Sequence, residues 1–182
     1  VDYDRPFTVS RVAPPPAAWQ PIDVRGKLPT RAGAAPYGRR SLAGITGVDI
    51  HYTASPPVTV YATAAYQVGA NAQEDFPAIA YTMFVEASGA SYLCHDLTTR
   101  SWHSGAPGAN TTRLSVCWAG NTTPNDAQLD GMAHCVCWLQ DQLGRPLDIR
   151  GHKDAPYPTT CPGPTWNVWQ PRLTTAIEAL GG

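Results

Sequence analysis

The chain has 182 residues and a net charge of −1, enough length for one domain with a real core and no basic surplus. That balance argues against nucleic acid or an anionic lipid surface as the partner. No apolar run approaches the roughly 20 residues that a membrane helix needs, and Val1-Asp2-Tyr3-Asp4-Arg5 carries no signal-peptide apolar region.

Residues 1–43 are rich in Pro, Ala and Arg, with Pro14-Pro15-Pro16 and scattered Gly and Pro from Pro29 to Gly44, a composition that favours extended or turn structure. This stretch reads as a wrapping arm and residues 44–182 as the main domain, with Trp19, Ile22 and Val24 as candidate anchors. Ile45 to Tyr52 predicts a buried strand with Val48, Ile50 and Tyr52 on one face and His51 on the other. A helix is expected over Val58 to Val68, with Pro57 suited to its first turn. Ala78 to Val85 and Ala90 to His95 form strands of a hairpin about Ser88-Gly89. Trp102 to Asn110 reads as a loop, and Leu114 to Ala119 as a further strand.

The clearest helix runs from Pro124 to Leu143. Thr123 is its expected N-cap, Asp126 completes a box-like cap, and Leu129, Met132, Val136, Leu139 and Leu143 form the buried stripe. Gly144 ends it; Leu147 to Gly151 is a short strand, and Trp166 to Leu180 a closing helix that contains Pro171. Strands alternating with helices predict an α/β fold, a mixed sheet of five or six strands flanked by helices.

Chemistry concentrates near the C-terminal end. His152 and Cys161 have eight residues between them, on a path stiffened by Pro156 and Pro158 and followed at once by Pro162, and rigid loops lose little entropy in holding side chains in place. His51 ends an apolar strand about 100 residues upstream. Two imidazoles and a thiol make a three-ligand zinc set with a fourth position left for water, if the three meet. Taken singly, each fits a core residue as well. His103 sits in a Gly- and Pro-containing loop poorly suited to lock a metal, where it could hydrogen-bond a ligand at a rim; His95 reads as a surface residue and His134 as solvated. The five cysteines are odd in number, and buried free thiols are a simpler expectation than a disulfide framework.

Ile50-His51-Tyr52-Thr53, Ile79-Ala80-Tyr81-Thr82-Met83-Phe84, His103 with Asn110, Leu114-Ser115-Val116, and Gly151-His152-Lys153-Asp154 through Cys161-Pro162-Gly163 follow one another in a familiar order. Over roughly residues 45–180 the sequence resembles the type 2 N-acetylmuramoyl-L-alanine amidases, which include phage endolysins and the peptidoglycan recognition proteins. The resemblance implies a zinc hydrolase that cuts the amide between N-acetylmuramic acid and L-alanine of bacterial peptidoglycan. It implies His51, His152 and Cys161 as Zn2+ ligands, Tyr81 and Thr159 as catalytic residues, and His103 and Asn110 at the substrate groove. A monomer acting on the cell wall is expected, released from a host cytoplasm if an endolysin and otherwise secreted.

Three features depart from the family pattern. The His152–Cys161 loop is one residue longer than usual, with Tyr157 as the insertion; Cys117 stands where one branch carries a catalytic Glu; and no Cys precedes Cys94, which favours a microbial or phage protein over an animal one. Two other readings follow from the same residues. One is a module that binds peptidoglycan without cutting it, and the other a hydrolase with Cys161 as nucleophile and His152 as base.

Overall fold

The computed structural model describes residues 18–181 except 71, 73 and 157, and all of Pro107 but its side chain. The proline run at 14–16 and the loop position of Tyr157 therefore lie outside the described residues. The sheet has strands β1 (Ile22–Asp23), β2 (Gly47–Tyr52), β3 (Met83–Val85), β4 (Ser91–Leu93), β5 (Arg113–Trp118) and β6 (Asp148–Gly151). Their spatial order is β1-β4-β3-β5-β2-β6. All neighbours run parallel except the β3–β4 hairpin. The fold is thus the expected mixed α/β sheet flanked by helices.

Strand alternation divides the sheet into two unlike faces. Val48, Ile50, Met83, Val85, Val116 and Trp118 meet helices α3 (Asp126–Leu143) and α4 (Trp166–Ala179), building the main core. The opposite face carries Asp49, His51, Ser115 and Cys117. It is covered by α1 (Val60–Val68) and a smaller apolar cluster that includes Val60, Ala64, Ile79 and Phe84. A strand with buried neighbours on both sides usually reads as continuously apolar. Finding a fully buried Asp49 and an almost fully buried His51 on β2 therefore marks that face as the candidate functional one.

Several elements differ from expectation for local reasons. Residues 78–81 do not extend β3, because side chains satisfy their backbone instead of a ladder. Gln67 Oε1 accepts from Ala80 N–H at 2.8 Å, the Ala78 carbonyl accepts from the Tyr37 hydroxyl at 2.9 Å, and the Ile79 carbonyl accepts from His95 Nε2 at 2.6 Å. His95 is consequently half-buried and not a surface residue. Helix α1 starts after Pro57, since the Thr59 side chain caps it from Ala62 N–H and Glu86 accepts from Val60 N–H. The expected loop at 102–110 closes into a short helix α2 (Pro107–Thr112). For α3 the cap is Asn125, not Thr123: Asn125 and Gln128 form a reciprocal capping box, which satisfies two otherwise orphaned N–H groups. Gly144 ends α3 at φ +63°, a conformation that disfavours side chains.

The described part of the arm packs on the body. β1 adds an edge strand beside β4, Val24 is buried, and Trp19 stacks on His134 at 5.1 Å, so that imidazole is covered and not solvated. Ile22, by contrast, is 51% exposed and holds on through its backbone pairing with Tyr92, not through apolar packing. Arg40 is buried and donates to the carbonyls of Leu97, Asn110 and Arg113, tying the segment to the strand that follows α2. Four cysteines are buried, Cys137 is half-buried, and all five are free thiols. Among the described residues no helix is long and apolar enough to cross a membrane.

Asn125→Ala removes the cap side chain and its bond to the Ala87 carbonyl. Equilibrium urea unfolding should register a loss of about 1 kcal/mol with an unchanged slope.

Candidate active site

β2 and β6 are neighbours in register, Asp49 opposite Arg150 and Ile50 opposite Gly151. The residue after Gly151 therefore emerges beside His51. His152 opens a 3-10 turn there, and its ring lies 4.5 Å from that of His51. The loop that follows is pinned back onto this turn. Lys153 N–H donates to the Cys161 carbonyl at 2.6 Å, Asp154 accepts from Gly151 N–H at 3.0 Å and from the Trp166 indole at 3.2 Å, and the Thr159 hydroxyl accepts from Cys161 N–H at 3.2 Å. Gly151 has no room for a side chain: a Cβ would come within 2.8 Å of Pro162 and 2.9 Å of the Trp166 indole. These ties deliver Cys161 Sγ to 3.5 Å from His51 Nδ1, with one donor atom from each of His51, His152 and Cys161 within 4.8 Å of the others.

That geometry can be tested against a metal. Tetrahedral zinc with Zn–N near 2.0–2.1 Å and Zn–S near 2.3 Å places nitrogen and sulfur ligands about 3.6 Å apart. The His51–Cys161 separation fits this, and two imidazoles with a thiolate are a donor set suited to zinc. A second group, Asp49, His51 and His103, is equally compact. Its carboxylate is already committed, since Asp49 accepts from Arg113 Nε and from Arg150 Nε at 2.8 Å. A cation there would face two guanidiniums, so the first group is the better metal site.

Burial sets the protonation states. His51 is held well below the ordinary imidazole range by desolvation, then by His103 and His152. His152 is lowered too, chiefly by burial. Burial brings His103 down to about 4 in spite of the nearby Asp49 charge. The Cys161 thiol is pushed up to about 12 by burial, and that of Cys117 well above its usual range by the same cause. At neutral pH the metal-free site thus holds neutral imidazoles and a protonated thiol.

The profile of the family described as N-acetylmuramoyl-L-alanine amidase matches residues 41–164, more than half of the chain. This chain belongs to the N-acetylmuramoyl-L-alanine amidase family. No curated protein matches it. Among solved structures it is similar to the Drosophila peptidoglycan recognition protein SD, with a TM-score of 0.67 and 16% identity over 83% of this chain and 95% of that one. It is also similar to the Drosophila recognition protein SA, at 0.64 and 20% over 83% and 91%. The N-acetylmuramoyl-L-alanine amidase LysC of Clostridium intestinale gives 0.60 and 17% over 84% and 98%. At such identities these structures share the fold.

The family's expected residues do not all converge. Tyr81 does: its ring lies 5.5 Å from that of His51, and it lines a cavity of about 340 Å³ with Thr53, Ala54, Thr63, Tyr66 and Gln67. Thr159 is beside the site, but its hydroxyl is engaged in holding the Cys161 backbone. His103 is not at a groove rim; its side chain has no exposure at all, and its Nε2 bonds the backbone carbonyl of Arg113. Asn110 is buried as well, exchanging two hydrogen bonds with the Ser104 backbone at 2.9 and 2.8 Å, and so clamps that loop instead of lining the cavity. Sequence reasoning missed Asp49, Arg113 and Arg150. The available signal was position: Asp49 is two residues before His51 and therefore shares its strand face.

Asp49→Ala leaves Arg113 and Arg150 without their shared carboxylate in a buried setting. Such a loss should lower unfolding stability by about 3–5 kcal/mol, read from the urea midpoint, whereas exposed Asp126→Ala should change it little.

Proposed function

We propose that this chain is a zinc-dependent peptidoglycan hydrolase of the endolysin kind, cutting the amide between N-acetylmuramic acid and the L-alanine of the stem peptide. The observation that carries the reading is the convergence of His51, His152 and Cys161, with the Tyr81 ring 5.5 Å from that of His51 and lining the cavity next to it. Residues 44–182 form the catalytic unit in this reading, and the protein acts on the bacterial cell wall as a monomer.

The roles follow from chemistry. Zinc held by the two imidazoles and the thiolate supplies Lewis acidity toward the scissile carbonyl and an acidified water. Every other task falls to the chain. The cavity beside the ligands is lined by Thr53, Ser55, Thr63 and Gln67, whose uncharged donors and acceptors suit an amide-rich stem peptide. Tyr81 reaches the same space with its hydroxyl proton retained, since burial holds its acidity well below that of a free phenol. A phenol that stays protonated can donate to the carbonyl oxygen as negative charge develops there, and one such donor is worth about 3 kcal/mol of barrier. Thr159 acts by holding the Cys161 loop.

Purified protein should hold one zinc and release muramic acid-linked sugar from stem peptide, both abolished by chelator and restored by zinc. Cell-wall binding without any release of sugar from stem peptide, equal in the parent and in Cys161→Ser, would instead mark a binding module. Tyr81→Phe should retain its zinc while kcat falls roughly hundredfold with little change in KM, a single-turnover assay separating chemistry from release.

Zinc uptake must also displace the Cys161 proton, because burial keeps the metal-free thiol protonated near neutral pH while it keeps both imidazoles neutral. Binding should therefore tighten about tenfold per unit between pH 7 and 8, releasing one proton for each zinc. Calorimetry in buffers of differing ionisation enthalpy reads that number directly.

A further inference from the structure

The metal-facing imidazole of β2 does not stand alone. His51 Nε2 lies 3.1 Å from His103 Nδ1, and His103 Nε2 lies 3.2 Å from the backbone carbonyl of Arg113. The two ring planes are nearly perpendicular, at 82°, with centroids 5.1 Å apart. Both side chains are buried, so water does not compete for these bonds.

The direction of each bond is dictated by its last member. A carbonyl oxygen can only accept, so His103 must carry its proton on Nε2. A neutral His103 then presents a lone pair at Nδ1, which can only accept, so the proton between the rings belongs to His51 Nε2. The remaining nitrogen of His51, Nδ1, is left with its lone pair, and it is the atom 3.5 Å from Cys161 Sγ. A strand backbone group thus decides, through one intervening ring, which nitrogen of His51 is available to a metal. Asp49 Oδ2 lies 4.0 Å from His103 Nδ1, too far for a hydrogen bond. It leaves the chain of donors intact and adds negative potential beside it.

We propose that His103 is a positioning residue that holds His51 in the tautomer whose Nδ1 lone pair faces His152 and Cys161. It touches no substrate; it acts through the ligand, as outer partners of metal-bound histidines do. The carbonyl of Arg113 is a suitable terminus because it is fixed twice over: Arg40 donates to it, and Arg113's own guanidinium is anchored on Asp49. The same arrangement explains a buried histidine within a loop whose sequence argues for mobility. Its value lies in the ring's two nitrogens, one donating and one accepting on opposite sides.

The proposal rests on the zinc reading for its purpose but is testable without metal. Long-range proton–nitrogen correlation spectra of the metal-free protein near pH 7.5 should show both His51 and His103 protonated at Nε2. A His51 protonated at Nδ1, or averaging between tautomers, would overturn it. His103→Phe should release His51 into a tautomer mixture and weaken zinc binding about 10–100-fold in a chelator competition. His103→Gln offers an acceptor and a donor on one side chain and should recover most of that loss. Unchanged zinc affinity in the Phe variant, at an unchanged unfolding midpoint, would refute the positioning role. If the parent takes up no zinc, the functional reading fails, while the tautomer spectra still decide the hydrogen-bond relay.

Discussion

The site depends on a buried carboxylate. Asp49 sits in the middle of β2 with no exposure and binds guanidiniums from both neighbouring strands, Arg113 of β5 and Arg150 of β6. An isolated charge at such a depth would be prohibitively costly; paired twice, it becomes a fastener. It fastens register above all. A one-residue slip of any strand would turn its side chains to the opposite face, separating the pair and putting apolar residues where the histidines belong. Holding β6 against β2 in this register brings His152 up beside His51.

The layers above and below serve the same end by different physics. The apolar face of the sheet is closed by α3 and α4, whose tryptophans and aliphatic side chains supply the non-directional part of the stability. The functional face relies on directed bonds: Gln67 to the 78–81 segment, Asn110 to the Ser104 backbone, Asp154 to Gly151 and the Trp166 indole. Directed bonds fix positions to within tenths of an ångström, which ligand geometry requires and packing alone does not provide. Tyr81 gains its place in this way, lying on a segment that leaves the ladder and so turns towards the cavity.

Legibility followed the range of the forces involved. Helix α3 was readable from its apolar spacing, and β2 from its β-branched run, because these patterns are local. Ends were less so: the cap of α3 moved from Thr123 to Asn125, since a capping box depends on which side chain can reach back, here Gln128. The break at residues 78–81 was invisible in sequence because the partners that satisfy its backbone come from Tyr37, Gln67 and His95, far apart in the chain. His103 was misplaced for the same reason. A Gly- and Pro-rich stretch reads as a loop at a rim, yet its histidine is fully buried and bonded to the carbonyl of Arg113.

By itself the sequence determined the α/β class, the family, and the residue types of the candidate metal site. Those depend on local periodicity and on a short stiff loop that keeps His152 and Cys161 together. Only the tertiary structure decided that His51 joins them, that Asp49 lies beneath, and that His103 faces the ligand instead of the solvent. Each of these is a matter of register and packing between strands distant in the chain, and no local pattern encodes the direction of a hydrogen bond from one buried imidazole to another.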